Sequence, residues 1–338
     1  MNKKHCYIIA ELSANHGNRL EIALDSVRAI KATGADAVKL QTFRPESMTL
    51  DSDKELFMAN PKGAWAGRRL FDLYSETMLP WEWHQPIFEL AAKLELDCFS
   101  SPFDQEAVDF LEQFNPPAYK IASFEITDVP LIEYAAAKGK PMIISTGVAR
   151  LSDIENAITA CKKVGNEDIT ILKCTSAYPT PPEDMNLRMM QDIAERFSVK
   201  VGLSDHSLGT AAPMLAVALG ASVIEKHFIL DRSIISADAA FSLDPTEFKQ
   251  LVDQVRLTET LLGEKNYTFD AKMQQRSHAS RSIFIIKDVK KGEVLNLDNI
   301  KSIRPRYGLA PKLLPEVLGK RFVDDFERGT PLRLEDIT

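Results

Sequence analysis

Short apolar runs of strand length alternate along most of the chain with longer segments whose apolar residues recur every three or four positions. Residues 7–10, 37–40, 97–99, 118–121, 141–144, 170–173, 200–203 and 223–225 read as buried strands. Residues 20–33, 83–94, 105–113, 154–164, 187–197 and 210–218 carry the helical spacing between them, and residues 245–262 end the series. A strand–helix alternation repeated eight times predicts an α/β protein built on a closed (β/α)8 barrel, the TIM barrel. An open doubly wound sheet is the alternative, but it usually has fewer strands, and no glycine-rich phosphate fingerprint follows the first strand.

Two regions depart from this rhythm. Residues 43–80 are too long for a strand–helix connection and carry Trp65 and Tyr74, with Trp81 and Trp83 just beyond. Such a segment either overhangs the barrel mouth as a wall for a ligand or packs its aromatic side chains against the outside. After residue 262 the pattern becomes polar and loses its period. This predicts a barrel over residues 1–263, a linker over 264–280 and a small domain over 281–338, with strands at 282–286, 293–295 and 331–334. Lys291 to Ile300 and Arg328 to Ile337 share a glycine in second place, two leucines and a final isoleucine, so the small domain is expected to fold on a pseudo-symmetric plan. Its core is thin, which predicts docking on the barrel or on a partner subunit.

Composition narrows the class. The 338 residues, 45% of them hydrophobic, can bury a large core. No run approaches the roughly twenty apolar residues that cross a bilayer, and the first residues lack a signal-peptide pattern, so a cytoplasmic protein without a membrane partner is expected. Cys6, Cys98, Cys161 and Cys174 have no paired spacing and are expected as free, reduced thiols. A net charge of −7 without a basic, aromatic-interleaved cluster argues against nucleic acid.

In a barrel, chemistry gathers at the carboxyl ends of the strands. The polar residues there include Glu11, Asn15, His16, Lys39, Gln41, Ser100, Ser101, Lys120, Ser123, Glu125, Ser145, Thr146, Thr175, Tyr178, Ser204, Asp205, His206, Glu225 and His227. The side-chain period of two puts Ser204 with His206, and Glu225 with His227, on common faces of neighbouring strands. The two imidazoles either share a divalent metal or are separately bonded to backbone, since two ligands are fewer than a protein-only metal site needs. Lys39 and Lys120 sit inside apolar runs, where an unpaired ammonium is costly. They serve either an anionic ligand or internal ion pairs with Glu11, Glu125 or Glu225. Ser101, Ser123, Ser145 and Ser204 are able to donate to phosphate oxygens, although singly each is also an ordinary loop or cap serine.

Several of these segments carry a family resemblance. Glu11-Leu12-Ser13-Ala14-Asn15-His16, Val38-Lys39-Leu40-Gln41-Thr42, Tyr119-Lys120-Ile121-Ala122-Ser123, Ser204-Asp205-His206 and Glu225-Lys226-His227-Phe228 resemble the motifs of the sialic acid synthase family. The small domain resembles that family's antifreeze-like (SAF, β-clip) domain, including Arg304-Pro305 followed by Gly308 and Pro311. Residues 63–79 with Pro80-Trp81-Glu82-Trp83-His84, Ser100-Ser101-Pro102-Phe103-Asp104 and Phe241-Ser242-Leu243-Asp244-Pro245 look most like the pseudaminic acid synthase branch.

The resemblance implies condensation of phosphoenolpyruvate with an open-chain N-acetylated aminosugar, a diacetamido-trideoxy-altrose, giving a nonulosonic acid (pseudaminic acid) and phosphate. An N-acetylneuraminate or legionaminate synthase is the alternative within the family. By the same resemblance His206 and His227 bind a divalent cation (Mn2+, Mg2+ or Co2+), and Glu11, Glu125 or Glu225 manage protons. Lys39, Lys120, Ser101, Ser123, Ser145 and Ser204 hold the phosphate and carboxylate, while Gln41, Tyr178 and Asp238 lie near the sugar. A domain-swapped homodimer is implied, with Arg304 reaching into the partner's barrel. Ser176, where N-acetylneuraminate synthases carry Asn, departs from the pattern. Two rivals remain: a deoxy-sugar-acid phosphate synthase or metal aldolase, which would not need the small domain, and a non-enzymatic sugar-binding protein, which leaves the lysines and histidines unexplained.

Overall fold

The computed structural model describes residues 5–59 and 66–338. Trp65, counted above in the interrupting segment, lies outside them. Eight parallel strands, β1 (Tyr7–Glu11), β2 (Ala37–Thr42), β3 (Asp97–Pro102), β4 (Tyr119–Ile121), β5 (Met142–Ser145), β6 (Ile169–Cys174), β7 (Lys200–Asp205) and β8 (Val223–His227), pair in sequence order. β8 returns to β1, with Tyr7 opposite Val223 and Glu11 opposite His227, so the sheet closes as a TIM barrel and the open doubly wound alternative is excluded.

The helices follow the sequence pattern with informative exceptions. α1 (Leu20–Thr33) buries Ile22, Ala23, Val27 and Ile30 along one stripe and stops at Gly34, whose φ of 83° suits a residue without Cβ. α2 (Pro45–Met48) and α3 (Leu70–Thr77) lie inside the interrupting segment, which therefore has helical structure of its own. Its aromatic residues divide between the two expected roles. Trp81 stacks on Phe110 with centroids 4.4 Å apart and carries the Arg44 guanidinium 4.2 Å from its ring, whereas Tyr74 and Phe103 both pack on Phe43, just past the β2 exit.

Then follow α4 (His84–Lys93), α5 (Gln105–Glu112), α6 (Val129–Ala136), α7 (Leu151–Lys163), α8 (Met189–Phe197), α9 (Ala211–Ala218) and α10 (Pro245–Leu262). α6 was not anticipated: Val-Pro-Leu-Ile-Glu-Tyr-Ala-Ala is apolar on nearly every side, so it shows no period, and its start is marked by Pro130 in the first turn and by the Asp128 carboxylate accepting from Leu131 N at 3.1 Å. α10 opens with a reciprocal cap, in which Asp244 and Glu247 each accept from the other's backbone N–H at 2.9 and 3.0 Å.

The chain divides into Met1–Gly263 and Glu264–Thr338. In the second unit β9 (Ser282–Ile285) pairs antiparallel with β10 (Ile300–Ile303), after α11 (Ala271–Arg276), a helix in a stretch that had shown no period. β10 was not expected, and residues 293–295 and 331–334 are not strands; each holds a single bridge, Val294 with Arg321 and Pro331 with Phe284. Turns at Gly292 and Gly329, with φ of 81° and 94°, leave those segments too short for a ladder.

The repeat is nonetheless real in three dimensions. Gly292 N donates to Phe322 O and Gly329 N to Ile285 O, both at 2.8 Å. Asn296 N donates to Asn299 Oδ1 and Arg333 N to Asp336 Oδ2, at 2.8 and 2.7 Å. Leu295 and Leu332, with Ile300 and Ile337, fill one core from the two copies.

Candidate active site

The inward face of the barrel changes character in one step. Tyr7, Ile9, Ala37, Phe99, Ala118, Ile143, Leu172 and Val223 form an apolar plug. Two residues further along each strand, on the same face, stand Glu11, Lys39, Ser101, Lys120, Ser145, Cys174, Ser204 and Glu225, one from every strand and all buried. The next inward step brings Gln41, His206 and His227.

This ring is charge-balanced. Lys39 Nζ pairs with Glu11, donates to Ser101 Oγ at 3.3 Å and lies 4.0 Å from Glu225 Oε1. Lys120 Nζ is 3.6 Å from the same Glu225 oxygen, which also accepts from Ser204 Oγ at 3.2 Å. Internal ion pairs thus exist without a ligand, but the ring and the loops next to it keep open valences: Glu225 Oε2 and Ser145 Oγ in the ring, and Glu125 Oε2 and Ser176 Oγ beyond β4 and β6, are buried with no hydrogen-bond partner among the described residues. Burial raises the Glu11 carboxyl to about 7 against the pull of Lys39, and burial raises Glu125 to about 7 as well. Burial acts on Glu225 in the same direction, but Lys120, Lys39 and His206 outweigh it and hold that carboxyl low.

Above the ring, the His206 and His227 rings are 5.3 Å apart, with Tyr178 at 4.4 Å from His206 and Phe241 at 4.9 Å from His227. His206 Nδ1 faces the Thr175 carbonyl at 3.1 Å, which fixes the tautomer and leaves Nε2 as the free lone pair. His227 Nδ1 is buried without a hydrogen-bond partner; the Asp238 carboxylate lies 3.6 Å away. Burial keeps His227 neutral well below its usual range, the state that ligates a metal. Gln41 Nε2 donates to Glu11 Oε1 and Ser13 Oγ at 2.9 and 3.0 Å.

Other strand-exit residues do not join this site. Asn15 bonds Phe228 O and Ser242 Oγ, both at 2.8 Å, and Ser100 bonds Thr42 on the outer face. Asp205 also faces outward, where it is bound by Lys226. Arg304 belongs to the second unit, in the turn after β10. Two site features escaped the sequence reading. Cys174 follows from the period of two, and its thiol lies 3.8 Å from His206 Nδ1. Gly147 carried no signal: its N–H donates to Ser123 Oγ at 3.0 Å, and a Cβ there would collide with the Ser123 and Ser176 hydroxyls.

Known proteins of this build are recognisable. A pseudaminic acid synthase of Campylobacter jejuni is 50% identical over 333 residues, covering 98% of this chain and 97% of that one. An N,N'-diacetyllegionaminic acid synthase of Legionella pneumophila is 37% identical over 338 residues, covering 98% and 94%. The crystal structure of an N-acetylneuraminic acid synthetase from Leptospira borgpetersenii superposes with a TM-score of 0.72 at 30% identity, over 81% of this chain and 90% of that one. The SAF domain profile matches residues 280–338, the NeuB family profile matches residues 26–267, and the chain belongs to the NeuB family.

Proposed function

We propose that this chain condenses phosphoenolpyruvate with an open-chain N-acetylated aminosugar, releasing phosphate, and that pseudaminic acid is the product. The observation that carries the reading is the inward ring, in which two buried lysines and several hydroxyls lie one residue-step below two histidines. Among relatives, the pseudaminic acid synthase is the more similar at 50% identity against 37% for the legionaminic acid synthase, which favours that product over the alternatives.

Lys39 and Lys120 neutralise the carboxylate and phosphate, with Ser101, Ser123, Ser145 and Ser204 donating to their oxygens. Gln41, Tyr178 and Asp238 orient the sugar. A bond forms between C3 of phosphoenolpyruvate and the aldehyde carbon, water adds at C2, and phosphate leaves from C2. Of the three carboxylates Glu125 best suits the base that takes the water's proton, because it is poised near 7 and pairs with no lysine, whereas Lys39 pairs with Glu11 and Lys120 with Glu225.

His206 Nε2 and the unpartnered imidazole of His227 fit a divalent cation such as Mn2+, Mg2+ or Co2+. Among the described residues no three His, Cys, Asp or Glu side chains are disposed to hold a metal together, so the two histidines would hold it with substrate and water oxygens. When bound, the cation supplies Lewis-acid polarisation of a carbonyl oxygen.

Residues 264–280 connect the catalytic barrel to the SAF module, and we place the enzyme in the cytoplasm as a domain-swapped homodimer. Exposed Phe124, Val148, Tyr178, Leu208 and Ile235 follow β4 to β8 in turn, an apolar rim that a partner's module with Arg304 would cover.

Phosphate release tests the reading: it should require a divalent metal and an unphosphorylated diacetamido sugar. Turnover in a metal-free sample overturns the metal's role, and preference for a phosphorylated sugar overturns the substrate class. Sugar binding without turnover of phosphoenolpyruvate marks a binding protein instead.

A further inference from the structure

The two histidine motifs each contain a charged residue that the chemistry leaves unused. Asp205 and Lys226 precede His206 and His227, and by strand alternation their side chains leave the opposite, outer face of the sheet. They meet there. Lys226 Nζ donates to Asp205 Oδ2 at 2.5 Å, and both side chains are fully buried. The register sets them directly opposite on β7 and β8.

A buried ion pair is a poor way to obtain stability, because desolvating both charges offsets most of their attraction and an apolar pair of similar size often does as well. What the charges add here is direction. Lys226 Nζ also donates to the Ser207 carbonyl at 2.5 Å, while Asp205 Oδ1 accepts from Ser207 N at 2.9 Å and from Ser207 Oγ at 2.7 Å. The residues on both sides of His206 are therefore tied to the residue before His227. A second constraint lies lower on the same strands, where a Cβ on Gly202 would collide with Val223 O, so β7 and β8 approach closely there too.

We propose that Asp205 and Lys226 form a positioning clasp that sets the separation of His206 and His227 from behind the sheet. Neither touches substrate or cation. The inference rests on the histidines being metal ligands. Outer partners of metal ligands typically change affinity by about ten- to a hundredfold when removed.

The full-length protein is stripped of metal and titrated with Mn2+, following its thermal unfolding midpoint, and phosphate release is measured in parallel. The apolar double variant Asp205→Leu/Lys226→Met should fold with a metal-free midpoint near that of the wild type, yet need at least tenfold more Mn2+ for half-maximal stabilisation. Its KM for phosphoenolpyruvate should stay unchanged and its kcat recover with excess Mn2+. Asp205→Asn, which keeps the shape, guards against failure of the double variant to fold and should weaken Mn2+ binding severalfold. Wild-type Mn2+ affinity in either folded variant overturns the clasp alone. A wild type that Mn2+ does not stabilise at all overturns the metal reading and the clasp with it.

Discussion

Glu125 is the carboxylate whose surroundings set it apart: no lysine lies within ion-pair distance among the described residues, and burial, against the more distant charge of Lys120, lifts it to about 7. A base must be ionised, so kcat should fall as pH drops through about 7, and Glu125→Gln should lower kcat by roughly 10²–10⁴-fold and abolish that limb. A pH–rate profile of the variant that keeps the wild-type limb would move the role to another group. The period of two made Ser204, Glu225 and both histidines legible, Lys39 and Lys120 were legible as lysines inside apolar runs, and Glu11 as a polar residue at a strand exit. The same parity separates Asp205 from Ser204 and His206, but grouping strand-exit residues by proximity in sequence hid it. Gly147 was illegible for another reason: it matters through contact between loops after different strands, which no local pattern encodes.

At the scale of elements, the strands were legible where their apolar runs were bounded by polar residues, and α6 was missed because it has no polar face. α4 shows what an element gives up to sit against the barrel. Its first residue, His84, is fully buried, bonded through Nε2 to Thr42 Oγ1 at 2.7 Å and through Nδ1 to the Trp81 carbonyl at 3.2 Å. Burial lowers this imidazole to about 4. Above its ordinary value near 6.5 the ring is neutral in both folded and unfolded chains and contributes no pH dependence. Below it the unfolded chain binds a proton that the folded chain refuses until about 4, so stability is lost across that window. The loss between pH 7 and pH 5 should be about 2 kcal/mol from this residue. In His84→Gln the difference between urea-unfolding free energies at the two pH values should shrink by that amount. An unchanged difference would show that the ring is protonated in the folded state.

For the whole molecule, the distinctive expectation is that Arg304 serves the neighbouring subunit. His206→Ala and Arg304→Ala proteins should each be nearly inactive. Mixed dimers would unite one intact barrel with one intact arm, so after random reassembly about a quarter of all sites should recover. A mixture as inactive as its parents, with subunit exchange demonstrated by mass, would confine Arg304 to its own chain or remove it from the site.

The doubled turn of the SAF module bears on how that arm is kept intact. Gly292 of the first copy hangs from Phe322, and Gly329 of the second hangs from Ile285, a residue that precedes the first copy in the chain. Each half is thus completed by a backbone carbonyl from the other half. Neither copy is a folding unit alone, and Leu332 and Ile337 near the end of the chain share the arm's core with Ile283 and Ile285 of β9. A chain cut before Arg328 would not carry a shorter arm; it would carry none.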